Sequence, residues 1–121
     1  MTGKIEKFED LQVWQNGIEL SVKIYNAFET CKDYGFKDQI CRASVSVPSN
    51  IAEGYERQTN KEFIHYLYIA KGSARELRTQ LLIAYRLGYI NEEGFQSLLE
   101  VSKQISAQLF QLIKVRKERF S

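Results

Sequence analysis

The chain has 121 residues, enough for one hydrophobic core and too few for two domains. Its 17 Lys and Arg against 15 Asp and Glu leave a net charge of +2, so no global field marks it for nucleic acid or a membrane surface. Cys31 and Cys41 lack the spacing and the partners of a zinc site, and suit a reduced, cytoplasmic chain with free thiols.

The opening MTGKIEKFED holds no apolar signal-peptide core, and the longest apolar runs fall far short of a membrane span. A soluble cytoplasmic protein without a membrane partner is expected. Charge is distributed unevenly: residues 103 to 121 hold five Lys or Arg against one Glu.

Four segments show helical periodicity, expected at about 10–30, 36–56, 60–87 and 92–118 of a single domain. In the first, Leu11, Trp14, Ile18, Val22, Tyr25 and Phe28 recur at steps of three or four, which predicts one core-facing stripe. Turn-forming residues 30–35 end it.

The second segment keeps Phe36, Ile40, Ala43, Val47, Ile51 and Gly54 at helical steps straight through the only proline, Pro48. An internal proline removes one hydrogen bond and crowds the carbonyl four residues back, here that of Ser44, at a cost of about 3 kcal/mol. Ser44 and Ser46 are expected to bond the freed groups, giving a kinked but continuous helix. The rival reading is a break, with Pro48 opening a new short helix.

The third segment opens on Thr59-Asn-Lys-Glu62, a capping-box sequence in which hydroxyl and carboxylate satisfy each other's backbone amides. Phe63, Leu67, Ala70, Ala74, Leu77, Leu81 and Ala84 then step four-three-four-three, a heptad seam stopped at Gly88. The fourth starts at Asn91, with Glu92 and Glu93 suiting the positive end of the helix dipole. Its stripe is Phe95, Leu98, Ser102, Ile105, Leu109 and Leu112, and it ends in the basic run KVRKER. Four long amphipathic helices with short connections give an all-α, up-down-up-down four-helix bundle.

A polar stripe flanks the core seam of the third helix: Glu62, Tyr66, Ile69, Ser73, Glu76 and Gln80. The second helix carries a matching series in Gln39, Arg42, Ser46, Ser49 or Asn50, and Glu53, beside Pro48 and Gly54. In an antiparallel hairpin these stripes meet, and the expected neighbours are Arg42 with Ser73 or Glu76, Gln39 with Glu76, and Asn50 with Tyr66. Two readings stay open: a half-solvated face, or a buried or interfacial network that sets register and partner choice.

Catalytic chemistry finds little purchase. Glu62-Phe-Ile-His65 matches one Glu-x-x-His element of a di-iron bundle, but such a site needs two, and the chain has one histidine. No glycine-rich phosphate loop, Gly-x-Ser-x-Gly elbow or His-Glu-x-x-His sequence occurs. No enzyme, metal or cofactor is expected. For nucleic acid the best constellation is Lys71, Arg75 and Arg78 on one face of the third helix, with Tyr68 able to stack on a base and Arg86 two turns on. Lys114, Arg116, Lys117 and Arg119 add a basic end to the fourth helix.

FEDLQVWQNGIEL at 8–20, QICRASVSVPSNIAEGYER at 39–57 and KEFIHYLYIAKGSARELRTQLLIAYRLGYI at 61–90 closely resemble the four-helix-bundle family of proteins encoded in intervening sequences of bacterial 23S ribosomal RNA genes. The SVPSNIAEG stretch, with Phe63, Ala70, Ser73, Glu76 and Gln80, carries the resemblance. Where the family usually has two basic residues after Gln-Ile, this chain has Cys41 and Arg42. The resemblance implies a homopentameric ring without catalysis. It also implies kinship with the accessory protein of diversity-generating retroelements, which binds a reverse transcriptase and nucleic acid.

Two functions from different classes are therefore carried forward. One is an oligomeric bundle that binds RNA or other structured nucleic acid through the basic helix faces. The other is a protein–protein adaptor, for instance of a reverse transcriptase, in which nucleic acid is incidental.

Overall fold

In a computed structural model, which describes residues 6–120 (without the side chain of Phe120), four helices form an up-down-up-down bundle. The leader reading of the first five residues lies outside the described residues. Helix α1 is Gln12–Ala27, α2 Tyr34–Tyr55, α3 Asn60–Arg86 and α4 Glu92–Phe120, with a short 3₁₀ turn at Phe8–Asp10 before α1. Each helix packs on two neighbours, and the diagonal pairs α1–α3 and α2–α4 make no close backbone approach among the described residues.

Side chains at the helix starts hold orphan amides, as helix ends require. The Asp33 carboxylate accepts from the Phe36 amide at 3.2 Å, Thr59 Oγ1 from Glu62 N at 3.1 Å, and Asn91 Oδ1 from Gly94 N at 2.7 Å. The Thr59–Glu62 box is not the reciprocal one expected, because the Glu62 carboxylate takes the Thr59 hydroxyl, at 3.0 Å. Gly88, at φ +81°, closes α3 with bonds from Gly88 N to Tyr85 O and from Tyr89 N to Ala84 O. Only a residue without Cβ adopts that left-handed turn freely.

The heptad seam of α3 is buried from Phe63 to Ala84. It faces Ile40, Val47 and Ile51 of α2 and Leu98, Ile105 and Leu109 of α4 in a single core. The expected stripe of α1 is corrected in its middle, since Phe28 is buried and Leu11 and Trp14 pack against the core as expected. The buried positions of α1 are Val13, Gly17, Leu20, Ser21 and Ile24, whereas Ile18, Val22 and Tyr25 are exposed. Helix α1 is apolar on two sides, and one of them points outward.

Helix α2 runs unbroken through Pro48, which overturns the reading of a break there. Ser44 and Ser46 do not serve the freed groups as expected. The Ser44 hydroxyl donates to Cys41 O at 2.7 Å and lies 3.2 Å from Ser21 Oγ, while Ser46 reaches across to α3. The buried proline ring packs on α1 at Gly17, where an added Cβ would stand 3.3 Å from Pro48 Cβ and Cδ.

Lengths are unequal. At 16 residues α1 is about 24 Å long, and at 29 residues α4 is about 43 Å. Asn16 bonds Gln108 at 3.0 Å, so α1 and α4 are level there. Beyond that point α4 continues for about 18 Å while α1 has about 6 Å left. The last turns of α4 rest on the start of α3.

Candidate nucleic-acid interface

Where α4 passes the start of α3, a cleft of about 300 Å³ opens between Tyr68 and Lys71 of α3 and Phe110, Ile113, Lys114 and Lys117 of α4. Helical spacing builds it. Tyr68, Lys71, Arg75 and Arg78 follow at steps of three and four on α3, and Lys103, Phe110 and Lys117 at steps of seven on α4. The antiparallel register joins the two rows. Lys117 Nζ donates to the Tyr68 hydroxyl at 2.6 Å, and Lys71 Nζ stands 5.9 Å from the Phe110 ring centre. Lys117 Nζ is also 5.0 Å from the Tyr68 ring centre. An ammonium so close to the phenol oxygen sits off the hydroxyl end of the ring, so the contact is a hydrogen bond and the ring face stays open.

Ile113 floors the cleft, while Tyr68 and Phe110 are 48% and 59% exposed. Lys103, Arg75, Lys114 and Lys117 are exposed, and Lys71 and Arg78 half-buried. Three lysines and two exposed rings thus line the cleft, and Arg75, Arg78 and Lys103 continue the positive surface along α3 and α4 by helical spacing. Phosphate binding asks for repeated positive groups on a rigid surface, which two packed helices supply.

The other basic residues lie elsewhere. Arg116 is structural: its Nε donates to Asn60 Oδ1 at 2.8 Å, Asn60 Nδ2 returns a bond to Arg116 O at 3.1 Å, and the guanidinium lies 5.0 Å from the Phe63 ring centre. Arg119 is exposed in the last turn of α4. Arg86, also exposed, is about 27 Å along α3 from Tyr68. Phe110 lines the cleft and Lys103 lies two turns before it on α4; neither was singled out from sequence. Their heptad spacing with Lys117 is the signal that finds them, once α3 and α4 are known to pair.

The polar seam between α2 and α3 divides into a closed part and a wet part. Ser46 and Ser73 hydroxyls meet at 2.8 Å, and Asn50 Nδ2 donates to Ser46 Oγ and O at 2.9 and 2.8 Å. Ser73 and Gln80 are buried, and Ser46 and Asn50 half-buried. Gln39, Arg42, Glu53 and Glu76 are exposed. Arg42 pairs within its own helix with Asp38 at 2.9 Å, and not with Ser73 or Glu76 as expected. Glu76 accepts from Gln80 Nε2 at 3.3 Å.

The register runs about one turn further along α3 than expected, because Gly54 lies against Tyr66 and Phe63. Asn50 therefore turns to Ser46 and Tyr66 to Arg57. That arginine, outside the expected seam, lies 3.1 Å from Glu53 and 3.8 Å from Glu62, and donates to the Tyr66 hydroxyl. Such exposed pairs add little stability.

At the opposite end of the bundle the Tyr89 hydroxyl donates to Asp33 Oδ2 at 2.7 Å, clasping the α3–α4 turn to the α1–α2 turn. This bond, with the Phe36 amide, holds the Asp33 carboxyl below its ordinary range, and Asp33 in turn pushes the Tyr89 phenol up. Burial pushes the Cys41 thiol up. His65 is exposed, and among the described residues no group of three or more His, Cys, Asp or Glu is placed to hold a metal ion. Among them, too, no helix is long and apolar enough to cross a membrane.

Two comparisons with known proteins bear on this geometry. The chain matches the family model of the 23S rRNA-intervening sequence protein over residues 9–111. It is also similar to the crystal structure of a protein of unknown function from the S23 ribosomal protein family of Bacteroides thetaiotaomicron VPI-5482. The TM-score is 0.80 at 30% sequence identity, over 84% of this chain and 98% of that one. No curated protein matches it. The bundle therefore belongs to the family of 23S rRNA-intervening sequence proteins.

Proposed function

We propose that the protein is a non-enzymatic binder of RNA or other structured nucleic acid, and that the groove between α3 and α4 is its binding face. The observation that carries this reading is the convergence of Lys71, Lys114 and Lys117 with the open rings of Tyr68 and Phe110 in one cleft. Arg75, Arg78 and Lys103 extend the positive surface along the same two helices. Arg86 and Arg119 lie outside the cleft, and Arg116 serves the fold. A gel shift of a structured RNA at rising salt tests it. Binding should weaken steeply with ionic strength, and Lys71→Ala with Lys114→Ala should lower both the affinity and the salt slope. No shift at low salt with the fold intact overturns the reading.

A second reading has its own observation. Trp14, Ile18 and Val22 of α1 and Val45 and Ala52 of α2 line an open apolar groove of about 360 Å³. An outward stripe as regular as a core stripe suits a protein contact, and we take its occupant to be a second copy in a homo-oligomeric, pentameric assembly. Light scattering should show an oligomer that Val22→Glu breaks while helical content is kept. A monomer at every concentration removes this reading. An adaptor role would instead show as a different partner that co-purifies after nuclease treatment and is lost with Val22→Glu.

A further inference from the structure

We infer that the α3/α4 cleft takes an unpaired nucleotide, with a base stacked on Phe110 and flanking phosphates held by Lys71, Lys114 and Lys117. This rests on the nucleic-acid reading above and narrows it from nucleic acid in general to unpaired strands.

The argument begins with Phe110. Its ring has no polar handle, yet it is 59% exposed on the outer side of α4, among lysines. Lysine side chains close over apolar surface to shield it where they can. Here Lys117 is directed to the Tyr68 hydroxyl, and Lys71 Nζ stands over the Phe110 ring at 5.9 Å, near the outer limit of a cation–π contact. More than half of the Phe110 surface is still left to solvent, at the mouth of a cleft whose volume, about 300 Å³, is at the lower end of those that take small organic groups.

Charge alone does not account for an aromatic in that position. A duplex offers phosphates to cations, but its bases are already stacked on each other, so an outward phenyl ring gains nothing from it. An unpaired base has a free face, and stacking on an aromatic side chain is the usual way such a base is held. The cation rows suit a strand as well. From Lys103 to Lys117 the α4 row runs about 21 Å, and the α3 row from Lys71 to Arg78 about 10 Å beside it. Both rows flank the ring, so a backbone following the groove carries a base to Phe110.

Fluorescence anisotropy of the full chain tests this with three probes: a labelled 12-nucleotide RNA without self-pairing, the same sequence as a duplex, and inorganic polyphosphate as a competitor with charge but no base. The single strand is expected to bind at least tenfold more tightly than the duplex, with polyphosphate competing poorly. Three phosphate contacts give a slope of log K against log salt of about −2. Phe110→Ala should weaken the strand about tenfold or more, leave the duplex unchanged, and be rescued by Phe110→Trp. Lys114→Ala should weaken both nucleic acids. Because Phe110 is exposed, its variants keep the fold, which circular dichroism verifies.

Equal affinity for strand and duplex, insensitive to Phe110, overturns this inference and leaves the basic-groove reading standing. Polyphosphate competing as well as the strand has the same consequence. A change of oligomeric state in Phe110→Ala without loss of strand preference overturns it in favour of a second copy on the ring. Failure of every probe to bind at low salt overturns both readings together.

Discussion

Replacing Gly54 by alanine is the sharpest test of how α2 and α3 fit together. An added Cβ would stand 2.6 Å from Tyr66 Cβ, 3.1 Å from Phe63 Cδ1 and 3.2 Å from Phe63 O. Carbon atoms prefer about 3.5–4.0 Å, so the two helices must part locally by about 1 Å. The nearest atom is a Cβ fixed to its backbone, and no rotamer change relieves the clash. Overpacking of this kind costs about 1–3 kcal/mol. Parting the helices also stretches the 2.8 Å Ser46–Ser73 bond two turns away, for about 1 kcal/mol more. Against this, alanine in a helix gains about 0.5–1 kcal/mol over glycine.

The net expectation is a loss of about 2 kcal/mol for Gly54→Ala. Gly72 in α3 provides the control, since an added Cβ there meets nothing within 4 Å. Gly72→Ala should gain the propensity term alone, about 0.5–1 kcal/mol. Urea unfolding followed by circular dichroism, at one fixed protein concentration, measures both. If Gly54→Ala unfolds at the same or higher urea than the parent while Gly72→Ala gains, the close approach at Gly54 does not set the packing of α2 on α3.

Other outcomes follow from single contacts. A double-mutant cycle on Ser46→Ala and Ser73→Ala should return a coupling of about 0.5–1.5 kcal/mol, and additive losses would mean that the hydroxyl pair contributes nothing. The Asp33–Tyr89 clasp fixes the sign of two pH effects. Asp33, its folded pKa lowered by the Tyr89 hydroxyl and then by the Phe36 amide, contributes stability above its unfolded pKa that is lost as pH falls through the folded value. Tyr89, raised chiefly by its bond to Asp33, contributes stability below its unfolded pKa that is lost as pH rises through the folded value. Tyr89→Phe should remove the alkaline loss and move the Asp33 carboxyl titration, followed by NMR, part of the way back up; an unmoved midpoint would contradict the clasp. Arg116→Ala should lower the unfolding midpoint while leaving the salt slope of nucleic-acid binding unchanged, whereas a reduced slope would return Arg116 to the binding face.

What could be read from the sequence depended on how local the signal was. The α3 seam and the caps at Thr59 and Asn91 were legible because their partners lie within one helix or one turn. The orientation of α1 was not, because Ile18, Val22 and Tyr25 repeat as regularly as Leu20, Ile24 and Phe28, and periodicity alone does not say which side meets the core. The seam register failed for a related reason. It is set where Gly54 lets α2 approach Tyr66, a contact between helices that no spacing within one helix encodes. The cations of α3 and α4 could be found by spacing, but the role of Arg116 depends on Asn60, 56 positions away. Phe110 likewise takes its place only from Lys71 and Tyr68, which lie across the cleft on α3.

The overhang of α4 beyond α1 has a consequence for amide exchange. The turns after Leu112 run past the start of α1 and rest on α3, tied by the Asn60–Arg116 pair and the Lys117–Tyr68 bond. Such a segment opens on its own, well before the core around Ile105. Lys114 and Lys117 lie on it, and Lys71 lies on the helix it leaves when it opens. A ligand that engages all three binds only the closed form, so it slows exchange over residues 113–119 and leaves the Asp33–Tyr89 end of the bundle unchanged. Occupancy of the cleft can thus be followed residue by residue as protection of a helix end.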